Sequence, residues 1–152
     1  MTARITLDRC KHRLAALWFG ASGLAFMIVV LQSVQRFHGL LDDLWSWFVP
    51  TILPTLSLII GILVADSMRP HGREKSADPF TFRTAWGVSA FYLLALLLTL
   101  LSQPFAAGDP KGQLQFLKTA SLWLLPTQGL ATAALGAFFI KTDAAEKNGD
   151  TQ

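Results

Sequence analysis

The sequence predicts an all-α integral membrane protein, a four-helix bundle that crosses the lipid bilayer four times. Charged residues make up 15% of the 152 residues and hydrophobic residues 52%, whereas soluble domains carry about 25% charged residues. Four apolar segments approach the ~20 residues that a helix needs to cross ~30 Å of hydrocarbon. None of the four contains Asp, Glu, Lys, Arg or His. Spans of this kind must be helical, because a closed barrel would alternate apolar and polar residues.

The predicted spans cover residues 14–34, 45–65, 85–101 and 122–140. The first is longer than the ~7–15-residue apolar core of a cleaved signal peptide, so we interpret it as a retained span. The third is the shortest, and two phenylalanines just before it extend its apolar length. Residues 141–152 form a polar tail that we expect to be mobile. The connecting loops are short, and the chain is therefore one domain.

The distribution of basic residues predicts the orientation of the spans. Ten of the 13 Lys and Arg residues lie on the side that holds both termini and the loop after the second span. Because basic residues concentrate on the cytoplasmic side, we predict that both ends are cytoplasmic. The short loops fit a multi-pass protein of a bacterial cell inner membrane. The basic residues adjoin apolar runs and form no separate patch, so we expect a lipid partner and no nucleic acid.

The two halves of the chain resemble each other. The sequence Trp-Phe-Val-Pro-Thr at 47–51 is similar to Trp-Leu-Leu-Pro-Thr at 123–127, and Gly-Ala-Ser at 20–22 is similar to Gly-Val-Ser at 87–89. Each half holds two spans, so the pattern favours a tandem duplication of a two-helix hairpin, with the halves related by an axis along the membrane normal. Chance similarity between apolar segments is the alternative.

Three prolines interrupt the second and fourth spans. Pro50, Pro54 and Pro126 each remove a backbone donor and crowd the carbonyl four residues earlier. One hypothesis is that they shape the bundle or end helices at the interface, and the other is that they form a hinge or a pore vestibule. Gln128, next to Pro126, is the best candidate for a pore-lining side chain, although an interhelical hydrogen bond is the alternative.

Small residues recur along the first and fourth spans. Gly20 marks one such position in the first span, and in the fourth span Gly129, Ala133 and Ala137 repeat at a spacing of four beside Gly136. Such stripes let helix backbones approach closely in lipid. They predict helix packing, either inside the bundle or between copies in a homo-oligomer.

The sequence carries no recognisable catalytic, metal or cofactor motif. The three histidines lie far apart, and no pair has metal-ligand spacing. Asp42 and Asp43 precede the second span, where a helix N-terminus accounts for them. Ion-coupled transport requires ionisable groups inside the membrane, which the spans lack. We therefore predict a protein that is not an enzyme and has no cofactor.

The remaining candidate contact surface is the loop after the second span. Arg69, Arg73 and Lys75 either reflect membrane topology alone or dock a cytoplasmic protein partner. The leading hypothesis is a membrane subunit that oligomerises and acts with that partner, as an anchor or as a pore. In its number of spans the chain is similar to small four-span proteins encoded beside bacterial defence genes, which implies a role in antiviral defence.

Two alternatives have specific structural requirements. A facilitator or transporter for a small solute needs a polar cavity on which Ser22, Ser33, Thr51 and Thr55 converge. A lipid-modifying enzyme needs a polar cluster at one interface, and the residues at hand for it are His38, Asp42 and Asp43.

Overall fold

The computed structural model describes residues 7–35, 37, 39–67 and 79–147, and within them it confirms the all-helical prediction. The chain forms four helices, which are α1 (Leu7–Gln35), α2 (Leu41–Ser67), α3 (Pro79–Ala106) and α4 (Pro110–Lys147). Each contains a segment long and apolar enough to cross a membrane, namely Cys10–Gln35, Leu41–Ala65, Pro79–Ala106 and Pro110–Phe139. The fold is therefore that of a multi-pass membrane protein.

The helices are longer than the predicted spans, most of all at the α3–α4 connection. Helix α3 continues through Pro104 to Ala106, and α4 begins at Pro110 after three residues. Asp109 caps α4 by accepting a hydrogen bond from the Gly112 amide at 3.0 Å, and proline is well suited to the first position of a helix. At its other end α4 runs through Lys147, so the segment predicted as a mobile tail starts as helix; residues 148–152 lie outside the described part.

The connection between α1 and α2 is a tight turn. Gly39 adopts φ 88°, a left-handed conformation that glycine reaches without the steric cost a Cβ would bring. The Leu40 amide donates to the Phe37 carbonyl at 3.0 Å, and the Phe37 side chain is fully buried. The buried Phe37 ring thus fixes the position of the turn, and Gly39 allows the chain to change direction there.

Neighbouring helices pack unequally. Helices α3 and α4 pack most closely, α1 lies beside α3, α2 lies beside α4, and α1 and α2 touch least. At the centre, the fully buried Trp18 of α1 stacks on the fully buried Tyr92 of α3, with 5.7 Å between ring centroids. The second half of the chain is therefore the most closely packed, and the first half contacts it mainly through the pairs α1–α3 and α2–α4.

The loose packing of α1 against α2 leaves an apolar groove of about 330 Å³. We call this cavity the α1–α2 groove. Its wall contains three aromatic rings in mutual contact, because Phe26 lies 5.6 Å from Trp45 and 6.5 Å from Phe48 between centroids. The groove is lined by Phe19, Ser22, Gly23, Phe26, Trp45, Phe48, Val49, Ile52, Leu53 and Leu56.

Candidate functional site

The prolines of the second and fourth spans lie inside continuous helices and do not end them. Helix α2 continues through Pro50 and Pro54, and α4 continues through Pro126. Because Pro54 has no N–H, the Pro50 carbonyl loses the donor that would normally come from four residues later. Gln128 of α4 supplies a replacement, its amide Nε2 donating to the Pro50 carbonyl at 3.3 Å. Gln128 thus forms the interhelical bond that was the alternative to a pore-lining role, and its acceptor is a carbonyl that proline has freed.

Other polar side chains gather at the same level of α2. The Tyr92 hydroxyl of α3 donates to the Thr51 carbonyl, and the hydroxyls of Thr55 and Thr132 lie 3.2 Å apart across the α2–α4 contact. Gln128 completes this group. We call these side chains and the Thr51 backbone the mid-span cluster. Tyr92 reaches α2 from a helix that makes no close backbone contact with α2 within the described residues.

The mid-span cluster lies deep in the hydrocarbon layer if α2 crosses the bilayer. At 1.5 Å per residue, Thr51 lies about 9 Å and Thr55 about 15 Å along the helix from Trp45, where the predicted span begins. The cluster therefore lies between roughly a third and a half of the way across the ~30 Å hydrocarbon thickness. Its groups are amides and hydroxyls, which both donate and accept hydrogen bonds. The arrangement can therefore fix the relative position of three helices around the proline pair.

Side-chain contacts continue along the α2–α4 interface towards the start of both helices. Lys118 forms an ion pair with Asp43 at 2.9 Å, and the Trp47 indole N–H donates to the Ser121 hydroxyl at 2.9 Å. With the Gln128 and Thr55 bonds they form what we call the α2–α4 ladder. Its partners differ in number by 74 to 78, so the two helices run parallel.

The two Trp-x-x-Pro-Thr elements also share one local hydrogen bond. The Thr51 hydroxyl donates to the Trp47 carbonyl at 2.7 Å, and the Thr127 hydroxyl donates to the Trp123 carbonyl at 2.7 Å. A threonine after proline thus re-bonds the backbone one turn earlier in both helices. The tryptophans differ, since Trp47 is buried against α4 whereas Trp123 is 46% exposed.

In α3, a second carbonyl freed by proline also accepts a hydrogen bond from a glutamine of a neighbouring helix. Pro104 deprives the Leu100 carbonyl of its helical donor, and the Gln32 side chain of α1 donates to that carbonyl at 3.3 Å. Twice, therefore, a glutamine from a neighbouring helix bonds a carbonyl that proline has left free.

Removal of the Gln32 amide should weaken the contact between α1 and α3. We expect Gln32→Leu to lower the free energy of unfolding in mixed micelles by about 0.6 kcal/mol, an average value for an interhelical hydrogen bond in a membrane protein. Gln35→Leu, on an exposed position of the same helix, serves as the matched control. Equal effects of the two substitutions would contradict the assignment.

The small residues of α4 face away from the other helices of the chain. Gly129, Ala133 and Ala137 are exposed, and no described heavy atom lies within 4 Å of a Cβ built at Gly129. Gly136 is partly buried and Gly20 of α1 is exposed, and both likewise have open space at their Cβ positions. Gly20, Gly129 and Gly136 therefore make no close contact that would support packing of these residues inside the bundle.

The remaining predicted site residues lie partly outside the described part of the chain. Arg69, Arg73 and Lys75 lie outside the described residues, as does His38. Asp43 forms an ion pair with Lys118. The hydroxyls expected to converge in a facilitator do not share one cavity: of Ser22, Ser33, Thr51 and Thr55, Ser22 lines the α1–α2 groove, Ser33 donates to the Val29 carbonyl at 2.7 Å, and the two threonines belong to the mid-span cluster.

Sequence reasoning missed Tyr92 and Gln32. Tyr92 is the single tyrosine of the chain and lies in the middle of a span, whereas tyrosine usually lies at the membrane interface. Its unusual depth was a usable signal for a buried partner. Gln32 gave a similar signal, since it is a glutamine inside a predicted apolar span. Its acceptor was not predictable, because the Leu100 carbonyl is freed by Pro104, which lies outside the predicted spans.

Comparison with protein-family models, with curated proteins and with solved structures finds no match for this chain.

Proposed function

We propose that the chain is a non-enzymatic subunit of a bacterial inner membrane that self-associates and works with a cytoplasmic partner, either to anchor that partner or to change membrane permeability. The observation that carries the proposal is the outward-facing stripe of Gly129, Ala133 and Ala137 on α4. These residues contribute little to packing within the chain, and small side chains in a span allow a second helix to approach closely. A second copy is the partner that such a flat surface fits best.

The internal arrangement also supports a tandem duplication as the origin of the subunit. The Trp-x-x-Pro-Thr elements at 47–51 and 123–127 are 76 positions apart, and the partners in the α2–α4 ladder are separated by nearly the same number. The two elements therefore lie level with each other on parallel helices. Corresponding core positions are buried in both, as for Leu44 and Ala120, or Ile59 and Leu135.

Self-association through the stripe is tested by enlarging Gly129. We expect Gly129→Leu to reduce cross-linked dimer in vesicles by about tenfold, which corresponds to ~1.4 kcal/mol, since a leucine keeps the two backbones apart. Folding should be unaffected because open space surrounds this position. Gly87→Leu is the matched control, being an exposed glycine of α3 with equally open surroundings. Unchanged association of Gly129→Leu would contradict the proposal.

A measurement of the membrane potential distinguishes the two proposed activities, anchoring of a partner and pore formation. The pore form predicts depolarisation of cells on induced expression, in the presence of the partner if not without it. We expect Gly129→Leu to abolish that response, because the pore would require assembly of several copies. A membrane potential that stays constant under both conditions would leave the anchor as the proposed activity.

A further inference from the structure

The α1–α2 groove has the length and the width of one hydrocarbon chain. Along α2 its lining extends from Trp45 to Leu56, which is about 16 Å at 1.5 Å per residue, and one leaflet supplies about 15 Å of hydrocarbon. The volume of about 330 Å³, spread over that length, corresponds to a mean width of about 4.5 Å. Methylene groups in contact lie about 4 Å apart, whereas a helix is about 10 Å across. The groove therefore fits an acyl chain and is too narrow for a helix of a second copy.

The walls of the groove are apolar and open to the surroundings of the bundle. Nine of the ten lining residues are aromatic, aliphatic or glycine, and Ser22 is the tenth. Gly23 contributes open space, because no described heavy atom lies within 4 Å of a Cβ built there. Phe26 and Val49 are exposed, so the groove lies on the outside of the bundle. Around a membrane span the surrounding medium is lipid, and a lipid chain can therefore enter the groove directly.

A carboxylate lies beyond the Trp45 end of the groove. Asp42 precedes Trp45 by three residues and Val49 by seven, a spacing that puts all three on one face of α2. The Asp42 side chain is exposed. Asp43, one residue later, points instead towards α4 and forms the ion pair with Lys118 at 2.9 Å. The groove is thus bordered by a negative charge at the end where Trp45, a residue type typical of the membrane interface, is located.

We propose that the groove binds one acyl chain of a phospholipid whose headgroup carries a primary amine, as in phosphatidylethanolamine. The lipid belongs to the leaflet that contains the α1–α2 turn, and its ammonium group donates charge-assisted hydrogen bonds to the Asp42 carboxylate. Its chain lies over Gly23 and reaches the middle of the bilayer near Leu56. Packing alone selects no particular lipid, because all lipid tails are as apolar as the groove. The selectivity therefore comes from Asp42, which repels an anionic headgroup.

This site is separate from the surface that carries the proposed function. The groove lies between α1 and α2, whereas the stripe proposed for self-association lies on α4. A single chain contains the complete lipid site. Failure of lipid binding would therefore leave the self-association proposal standing, and failure of self-association would leave the lipid site standing.

The chain-binding part is tested by filling the groove. The full-length protein in detergent micelles is titrated with dioleoyl phosphatidylethanolamine or dioleoyl phosphatidylglycerol, and native mass spectrometry measures the lipid bound per chain. We expect Gly23→Leu to weaken binding of both lipids about tenfold, because the new side chain occupies the space of the acyl chain. Gly87→Leu, at an exposed glycine of α3 with equally open surroundings, is the matched control and should bind like the parent.

The headgroup part is tested by the ratio of the two affinities. We expect the parent to prefer phosphatidylethanolamine about two- to fivefold, the range for an exposed ion pair, and Asp42→Asn to abolish that preference while chain binding persists. Asp109→Asn removes an exposed carboxylate at the start of α4, where asparagine caps a helix equally well, and it should keep the preference.

A photoreactive lipid locates the bound chain. Phosphatidylethanolamine with a diazirine in the middle of one acyl chain, in vesicles that also contain phosphatidylglycerol, should label residues 19–26 and 48–56 more than α3 and α4. The proposal is overturned if labelling is even over the four helices, if Gly23→Leu binds lipid like the parent, or if Asp42→Asn keeps the preference. It is also overturned if Gly23→Leu lowers the yield of cross-linked dimer and leaves lipid binding unchanged, since the occupant would then be a second copy.

Discussion

Replacement of Trp18 by alanine is expected to lower the free energy of unfolding by about 3–5 kcal/mol, the range for deleting a fully buried large aromatic side chain. Trp18 is fully buried and stacks on Tyr92 at 5.7 Å between centroids, so the substitution leaves a cavity where α1 meets α3. The measurement is reversible denaturation in mixed micelles, followed by circular dichroism and tryptophan fluorescence.

Two controls separate packing from polarity at this position. Trp18→Phe should cost much less than Trp18→Ala, because the indole N–H has no hydrogen-bond partner among the described residues and a phenyl ring preserves most of the contact. Trp123→Ala should be nearly neutral, since Trp123 is 46% exposed. A destabilisation of Trp123→Ala as large as that of Trp18→Ala would show that the centre of the bundle lies elsewhere.

Gln128→Leu is expected to destabilise the protein by about 1–2 kcal/mol, because it leaves the Pro50 carbonyl without a donor in the middle of the span. Leucine is close to glutamine in size, so the loss reports the hydrogen bond rather than a cavity. Gln115→Leu, at an exposed position of the same helix, is the matched control and should have little effect.

The decisive comparison uses Pro54→Ala. Alanine at this position restores the N–H that the Pro50 carbonyl lacks, so the carbonyl no longer depends on Gln128. In the Pro54→Ala background we expect Gln128→Leu to be nearly neutral, which gives a coupling energy of about 1–2 kcal/mol in a double-mutant cycle. Additive effects of the two substitutions would refute the view that Gln128 compensates for Pro54.

The helices themselves were predictable because their signal is large. Runs such as 45–65 contain no charge, and no soluble fold explains four of them in 152 residues. The ends of the helices were less predictable. Gln103 and Pro104 resemble loop residues in sequence. Gln103 is nevertheless fully buried and donates to the Gln113 side chain at 3.3 Å. Both glutamines lie in parts of α3 and α4 that extend beyond the predicted spans.

The candidate site was predictable in part. The sequence marked Pro50, Pro54 and Gln128, because proline has an unavoidable effect on the helix backbone and glutamine is rare in an apolar span. It could not show which carbonyl Gln128 meets, since that depends on the register between α2 and α4. The outward direction of Gly129 was equally hidden, because a spacing of four puts residues on one face without saying what that face meets.

We expect the α3–α4 hairpin, joined by a three-residue connection, to form before the rest of the bundle assembles. A short closed loop costs little chain entropy, and the pair it joins has the closest packing of the molecule, reinforced by the bond between Gln103 and Gln113. This hairpin can therefore form as a unit from contacts near in sequence. The loosely packed first two helices would then dock onto a preformed platform, with Trp18 and Gln32 closing onto a surface already in place.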